Sequence, residues 1–278
     1  MLVFHSHCQL GNQMFIYAAA RSLSKARKLP YSLSELGQLK NFRLSVKDKF
    51  LNTIYFSFFK LQNKLLGGRY VFKHLQDSRN DYSTEMIEEN ATNVWYYGYF
   101  QSEKYMYGNS EELRQLFRMT KAVEREFQLV KEKYLSGFRS YGTVHIRLKD
   151  YRTFGPDFLK GPDLTLPFSY YHQLLEKHKD EVDRWIILSD EPDLVKSEFA
   201  YLGSKAIFSD FSQMVDFQII MNANICINAH STFSWWASWL NSKQDKKVFV
   251  PDYFLGFKVD QEFPVHIIPP QFIRIRVE

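Results

Sequence analysis

Three stretches of the chain carry groups suited to holding an anion. In His145-Ile146-Arg147-Leu148-Lys149-Asp150, which follows an alternating run from Thr143, strand geometry sets His145, Arg147 and Lys149 on one side and Ile146 and Leu148 on the other. A guanidinium at the carboxyl end of a strand can clamp two phosphate oxygens in a fork that a lysine cannot reproduce. The alternative role for Arg147 is a structural ion pair with a nearby Asp or Glu. Leu10-Gly11-Asn12-Gln13 and His230-Ser231-Thr232-Phe233 each lie where a strand pattern gives way to a helix pattern. The first N–H groups of a helix lack intrahelical partners and carry about half a positive charge, so both stretches suit a phosphate or a sugar. In isolation, Gly11 equally serves a tight turn, and Ser231 or Thr232 an N-cap.

Other chemistries find no support. No D-x-D pair occurs, and the histidines show neither H-x-x-x-H nor H-E-x-x-H spacing, so no metal site is expected. His5 and His7 share a strand face and read as core-edge or acceptor-pocket groups. Walker, G-x-G-x-x-G and G-x-S-x-G motifs are absent, which argues against an ATPase, a dinucleotide enzyme and an α/β-hydrolase.

The positioning elements follow from hydrophobic periodicity. Leu2–Phe4 reads as a strand, and after Gly11 the apolar residues Phe15, Ala18, Ala19, Leu23 and Ala26 recur at helical spacing. Trp185–Leu188 is an apolar strand before Ser189-Asp190-Glu191-Pro192, read as the cap and start of a helix. Ala223–Ile227 leads into a helix from Thr232, and Lys247–Val250 is a further strand. Strands alternating with helices predict an α/β protein with doubly wound parallel sheets. A charged helical stretch before Ser136-Gly137 places a domain boundary between about 126 and 141, dividing the chain into 1–135 and 136–278.

Composition sets the remaining bounds. In 278 residues, 45% hydrophobic content with 25 Phe, 17 Tyr and 5 Trp supplies a core and excludes a disordered chain. The net charge of +5 is too small to indicate nucleic-acid binding, and it is concentrated locally: Lys40–Arg79 holds nine Lys/Arg against Asp48 and Asp77. With Ile54, Tyr55, Phe56, Phe58, Phe59 and Leu65 interleaved, 40–79 reads either as peripheral membrane contact or as helices with their apolar side packed inward. Met1–Ala20 and Phe217–Ser242 lack charged residues, but both are broken by polar ones and read neither as a signal peptide nor as a membrane span. Cys8 and Cys226 form no C-x-x-C pair, so a reducing, cytoplasmic setting is expected, with possible attachment to the inner face of a membrane.

Four motifs in order make the chain recognisable: Leu10-Gly11-Asn12-Gln13-Met14-Phe15, Gly98-Tyr99-Phe100-Gln101-Ser102-Glu103-Lys104-Tyr105, His145-Ile146-Arg147, and Ser231-Thr232-Phe233-Ser234-Trp235-Trp236-Ala237. Together they resemble the α-1,2-fucosyltransferases of glycosyltransferase family 11. The resemblance implies a GT-B-like fold of two Rossmann-like domains with an inter-domain cleft. It also implies a metal-independent inverting transfer of L-fucose from GDP-β-L-fucose to the 2-hydroxyl of a terminal galactoside, in bacterial surface polysaccharide synthesis. The C-terminal half would bind the donor, with no other cofactor, and the N-terminal half would face the acceptor glycan.

By the same resemblance His145 and Asp216 contact the guanosine, and Arg147, Ser231 and Thr232 hold the pyrophosphate. Gly11 and Asn12 approach the phosphate or fucose. Asp216, placed before what reads as an apolar strand, either accepts N–H bonds from a guanine edge or caps the segment that follows. Asp150 is the candidate base, or else it orients Arg147; Tyr99, Phe100 and Trp235 are candidates for stacking on sugar rings. The family pattern typically reads H-I-R-R-G-D-Y, where this chain has His145-Ile146-Arg147-Leu148-Lys149-Asp150-Tyr151. The lost second arginine opens two alternatives: another GDP-deoxysugar or a different acceptor. A non-catalytic GDP-sugar- or glycan-binding protein is the third.

Overall fold

The computed structural model describes residues 1–44, 46–65, 73–76, 93–106 and 108–278, with the backbone alone for 47 and 73–76. The chain divides into two units, Met1–Thr120 with Phe263–Ile267, and Lys121–Glu262 with Ile268–Glu278. The charge pattern places the boundary further on. The charged helix instead packs within the second unit, where Gln218 Nε2 donates to the Val123 carbonyl at 3.0 Å.

In the first unit, β1 (Leu2–Phe4) leads through a short loop to α1 (Leu10–Arg27), followed by β2 (Tyr31–Leu33), α2 (Val46–Leu65), β3 (Lys73–Gln76), β4 (Val94–Tyr97) and α3 (Ser110–Leu116). Its sheet has the order β2-β1-β4-β3 with parallel pairs. Helix α1 starts one residue before Gly11, so that glycine lies in a helical turn rather than a tight loop. The helix buries Met14, Phe15, Ala18 and Leu23, and ends at Lys28 in the left-handed conformation, with Lys25 and Arg27 complementing the carbonyl end of the dipole. Asn52 of α2 ties that helix to β2: its Oδ1 accepts the Leu33 amide at 2.7 Å and its Nδ2 donates to the Leu33 carbonyl at 3.2 Å.

The second unit runs α4 (Lys121–Val130), β5 (Tyr141–Ile146), α5 (Phe168–His178), β6 (Arg184–Ser189), α6 (Pro192–Glu198), β7 (Ala206–Phe208), α7 (Gln213–Met221), β8 (Ile225–Asn228), α8 (Thr232–Leu240), β9 (Lys247–Pro251) and β10 (Ile273–Ile275). Its parallel sheet has the order β10-β9-β8-β5-β6-β7. The chain first winds outward through β5, β6 and β7, then returns to lay β8 against β5 and winds the other way. β5 and β8 therefore flank the point where strand order reverses, the position at which doubly wound sheets bind ligands beyond their strand ends. In the first unit the corresponding point lies between β1 and β4.

Val144 and Ile146 of β5, with Leu148 just past its end, enter one hydrophobic cluster with Tyr170, Tyr171, Leu174 and Ile187. Burying each such aliphatic side chain stabilises the unit by about 1.5–3 kcal/mol. Gly142 is required by close approach, because a Cβ there would lie 2.4 Å from the Trp185 ring on β6. The segment after Asp216 is a helix and not the strand its apolar run suggests. Ser212 caps α7 by accepting the Val215 amide, and Asp216 sits in the first turn. No helix among the described residues is long and apolar enough to cross a membrane.

Candidate active site

The carboxyl ends of β5 and β8 are tied together. His145 pairs with Asn228 in the ladder, the Ala229 amide donates to the His145 carbonyl at 2.9 Å, and the Tyr151 hydroxyl donates to the His230 carbonyl at 2.9 Å. The Tyr151 and His230 rings stack with centroids 4.7 Å apart. The His145-Arg147 segment and the His230-Ser231-Thr232 segment thus occupy one place at the sheet's switch point.

Arg147 lies just past β5 in a nest of acidic groups. Its Nε donates to Asp150 Oδ1 at 2.8 Å and lies 3.2 Å from Asp190 Oδ2. Burial works against its charge, but hydrogen bonding to Asp150 and the fields of Asp190 and Asp150 outweigh that and raise its pKa. The structural ion pair considered for Arg147 is present, at the carboxyl end of β5 beside the switch point. Asp150 spends one oxygen on the guanidinium.

The sequence pattern places Asp190 in a helix cap. The cap position of α6 is Glu191, with no side-chain cap bond, while Asp190 accepts the backbone amides of Leu148 at 2.9 Å and Lys149 at 3.2 Å. It thereby fixes the turn that carries Arg147. The available sequence signal was its position at the end of the strand next to β5. Lys149 does not continue the strand face: β5 ends at Ile146, and Lys149 is exposed at the start of a 3-10 turn. Leu148 fills the place of the family's second arginine with a side chain only 4% exposed in the core.

His145 is buried, and its Nδ1 has no hydrogen-bond partner among the described residues. Burial first, then the charge of Arg147 and the proximity of His230, push its pKa down to about 3, so it is neutral near pH 7. Its ring lies 5.6 Å from Phe233, which in turn meets Phe217 of α7 at 5.2 Å. His230 is also buried; its Nε2 donates to the Leu164 carbonyl at 2.6 Å, and burial pushes its pKa down to about 4.

Asp216 accepts a hydrogen bond from the Ser209 hydroxyl, just beyond the end of β7. Burial pushes its carboxyl up to about 7 despite that bond. Ser231 is the N-cap of α8 and accepts the Phe233 amide at 3.3 Å; Thr232 opens the helix. Trp235 is 1% exposed beside Trp236 and Trp239, so it packs the core and is removed from the ring-stacking candidates. Phe100, 2% exposed, is removed for the same reason.

In the first unit the switch point is lined by half-exposed rings. His5 lies 5.1 Å from His7 and 4.9 Å from Tyr97, and His7 lies 4.8 Å from Tyr99. Tyr99 also meets the Cys8 sulfur through its hydroxyl at 3.4 Å. Asn12, in the first turn of α1, accepts from Gln101 Nε2 at 2.8 Å. Gln13 braces the approach to the helix by donating to the Cys8 carbonyl at 2.8 Å and accepting the Gln38 amide at 2.7 Å. No group of three or more His, Cys, Asp or Glu suited to a metal ion occurs among the described residues.

An alpha-1,2-colitosyltransferase of Escherichia coli is 25% identical over 254 residues, covering 84% of this chain and 85% of that protein. The Escherichia coli O-antigen biosynthesis glycosyltransferase WbnK is 29% identical over 120 residues, covering 41% of this chain and 39% of its own. Among solved structures, a mutant of Arabidopsis thaliana FUT1 in complex with GDP is similar with a TM-score of 0.53 at 14% identity, covering 86% of this chain and 68% of that one. Fucosyltransferase NodZ from Bradyrhizobium also gives 0.53, at 12% identity, covering 85% and 92%. These likenesses, with two units each built on a parallel sheet, establish the GT-B-like α/β fold class. A family model described as Glycosyl transferase family 11 matches residues 3–254, nearly the whole chain, and the chain belongs to that family.

Proposed function

We propose that the protein is an inverting transferase that moves L-fucose from GDP-β-L-fucose to the 2-hydroxyl of a terminal galactoside. The observation that carries this reading is the meeting of Arg147 and the capped start of α8 at the β5/β8 switch point. In the reaction the acceptor oxygen bonds to C1 of the sugar as the bond from C1 to the β-phosphate oxygen breaks on the opposite face. The hydroxyl proton is lost to water, and GDP leaves with the bonding pair. Arg147 and the amides opening α8 at Ser231 and Thr232 offset the charge growing on the β-phosphate, the kind of fixed donor whose loss costs about 100-fold or more in rate. No metal ion enters this scheme.

Asp150 and Asp190 hold Arg147 in place. Its bond to Arg147 favours this positioning role for Asp150 over that of base. His145 and Asp216 take the guanosine, with the carboxylate of Asp216 accepting from the guanine edge. Gly11 and Asn12 at the start of α1 serve the transferred sugar. His5, His7, Tyr97 and Tyr99 offer ring faces and polar edges to the acceptor, a combination suited to a pyranose. The O-antigen and colitosyltransferase relatives support a role in bacterial surface polysaccharide synthesis.

A second reading, transfer of colitose from its GDP derivative, is favoured by the named activity of the 25% identical relative. The full chain incubated with each GDP-sugar and lactose, with and without EDTA, separates these possibilities. An α-1,2-linked fucosyl product by NMR, formed equally with EDTA, is expected. A colitosyl product alone shifts the donor, loss with EDTA removes the metal-free scheme, and GDP binding without any transfer indicates a binding protein.

A further inference from the structure

We propose that the outward face of α2 seats the protein on an anionic lipid surface. Val46, Phe50, Ile54, Phe58, Leu61 and Leu65 recur at intervals of three or four residues and so form one stripe along the helix. Their exposure runs from 44% at Ile54 to 82% at Val46. A structural helix points such residues inward. Here the inward face is a different one: Phe59 is buried against Trp95 with centroids 4.9 Å apart, and Asn52 is bonded to β2. Among the described residues the apolar stripe therefore takes no part in the packing of the first unit.

The charges beside the stripe select its occupant. By helical spacing Lys49, Lys60 and Lys64 lie along one flank of it, and all three residues are exposed or half-exposed. The one acidic residue of α2, Asp48, lies on the inward side and is paired with Arg21 at 3.2 Å. The outward face thus presents apolar side chains bordered by charge of a single sign. A helix of this kind lies in the plane of a bilayer interface, its apolar side chains among the acyl chains and its lysines reaching anionic headgroups. A second copy of the chain would bring the same positive sign to the contact. Of the wider basic segment 40–79, positions 45, 66–72 and 77–79 lie outside the described residues, and α2 alone carries the inference.

Sedimentation of the full chain with vesicles tests the proposal. The protein is expected to bind vesicles of phosphatidylcholine and phosphatidylglycerol in equal parts, and to bind phosphatidylcholine alone at least about tenfold more weakly, each lysine contributing about fivefold. Binding should also weaken in about 1 M salt, where the screening length is about 3 Å. Phe50→Ser with Phe58→Ser, and separately Lys49→Gln with Lys60→Gln and Lys64→Gln, should each lower partitioning at least about tenfold. Because these side chains are exposed, the variants should keep the wild-type thermal midpoint. Leu129→Ser, at an exposed site on α4, should leave lipid binding unchanged. Equal binding to both vesicle types, equal binding by wild type and both multiple variants, or a stripe-dependent dimer that ignores lipid would each overturn the proposal. The readout is lipid binding, so its outcome is separate from that of the transfer assay.

Discussion

Asp190 stands 3.2 Å from the Nε of Arg147 while its two oxygens accept the amides of Leu148 and Lys149. One carboxylate thus sets both the charge environment of the guanidinium and the path of the turn that carries it. Hydrogen bonds to a charged group contribute about 1.5–3 kcal/mol each, so Asp190→Ala should raise the KM for the GDP-sugar by about 10- to 100-fold. Asp190→Asn, which keeps one acceptor, should recover part of the loss. An unchanged KM in both variants would show that the turn holds its shape without Asp190.

Arg147→Ala should lower kcat by at least about 100-fold, the scale of removing one donor to a developing charge. Arg147→Lys should restore little, since a point charge does not reproduce the fork. Steady-state kinetics of both variants checks this, and near-normal turnover in either would remove Arg147 from the chemistry.

Asp216 supplies a pH dependence with a defined sign. Its carboxyl is pushed up to about 7 by burial, and a guanine edge requires the ionised form as acceptor. GDP affinity should therefore rise with pH, by about tenfold from about pH 6 to about pH 8, and Asp216→Asn should flatten the profile. The contribution to folding has the opposite slope. An unfolded chain ionises Asp216 at its ordinary value, so stability from this group is fully present below about 4 and is lost as pH rises toward 7. Calorimetric titration of GDP across this range reads the first effect and thermal unfolding the second. A flat wild-type affinity profile would exclude Asp216 from the guanine site.

Leu148 is a core residue in this chain. Leu148→Arg, which restores the family's usual residue type, should destabilise the second unit by about 3 kcal/mol or more, because it places a charge among apolar side chains. Leu148→Met should cost less than about 1.5 kcal/mol. Thermal unfolding followed by circular dichroism tests the pair. An unaltered midpoint for Leu148→Arg would mean that the turn has room for an outward-facing side chain.

Alternation made β5 and its buried partners legible from sequence, as the placement of Val144, Ile146 and Leu148 in one cluster shows. Asp190 was hidden because its partners are amides on another strand's turn, 41 and 42 residues away, and no local pattern records such a contact. The run after Asp216 reads as a strand because α7 is buried on nearly every side and therefore has no polar stripe to reveal its period. Trp235 illustrates the same limit: a tryptophan at a helix start reads alike whether it faces a sugar or, as here, the core. The apolar residues interleaved in 40–79 fit both an inward and an outward face, and the direction depends on which side of α2 meets β2.

The central claim, that the β5/β8 switch point holds the diphosphate of a GDP-sugar, is tested most directly by a crystal structure of the full chain with GDP. The diphosphate oxygens should lie within about 3.2 Å of the Arg147 guanidinium and of the backbone or hydroxyl donors at Ser231 and Thr232. A nucleotide bound away from the carboxyl ends of β5 and β8, out of reach of the Arg147 guanidinium, would contradict it.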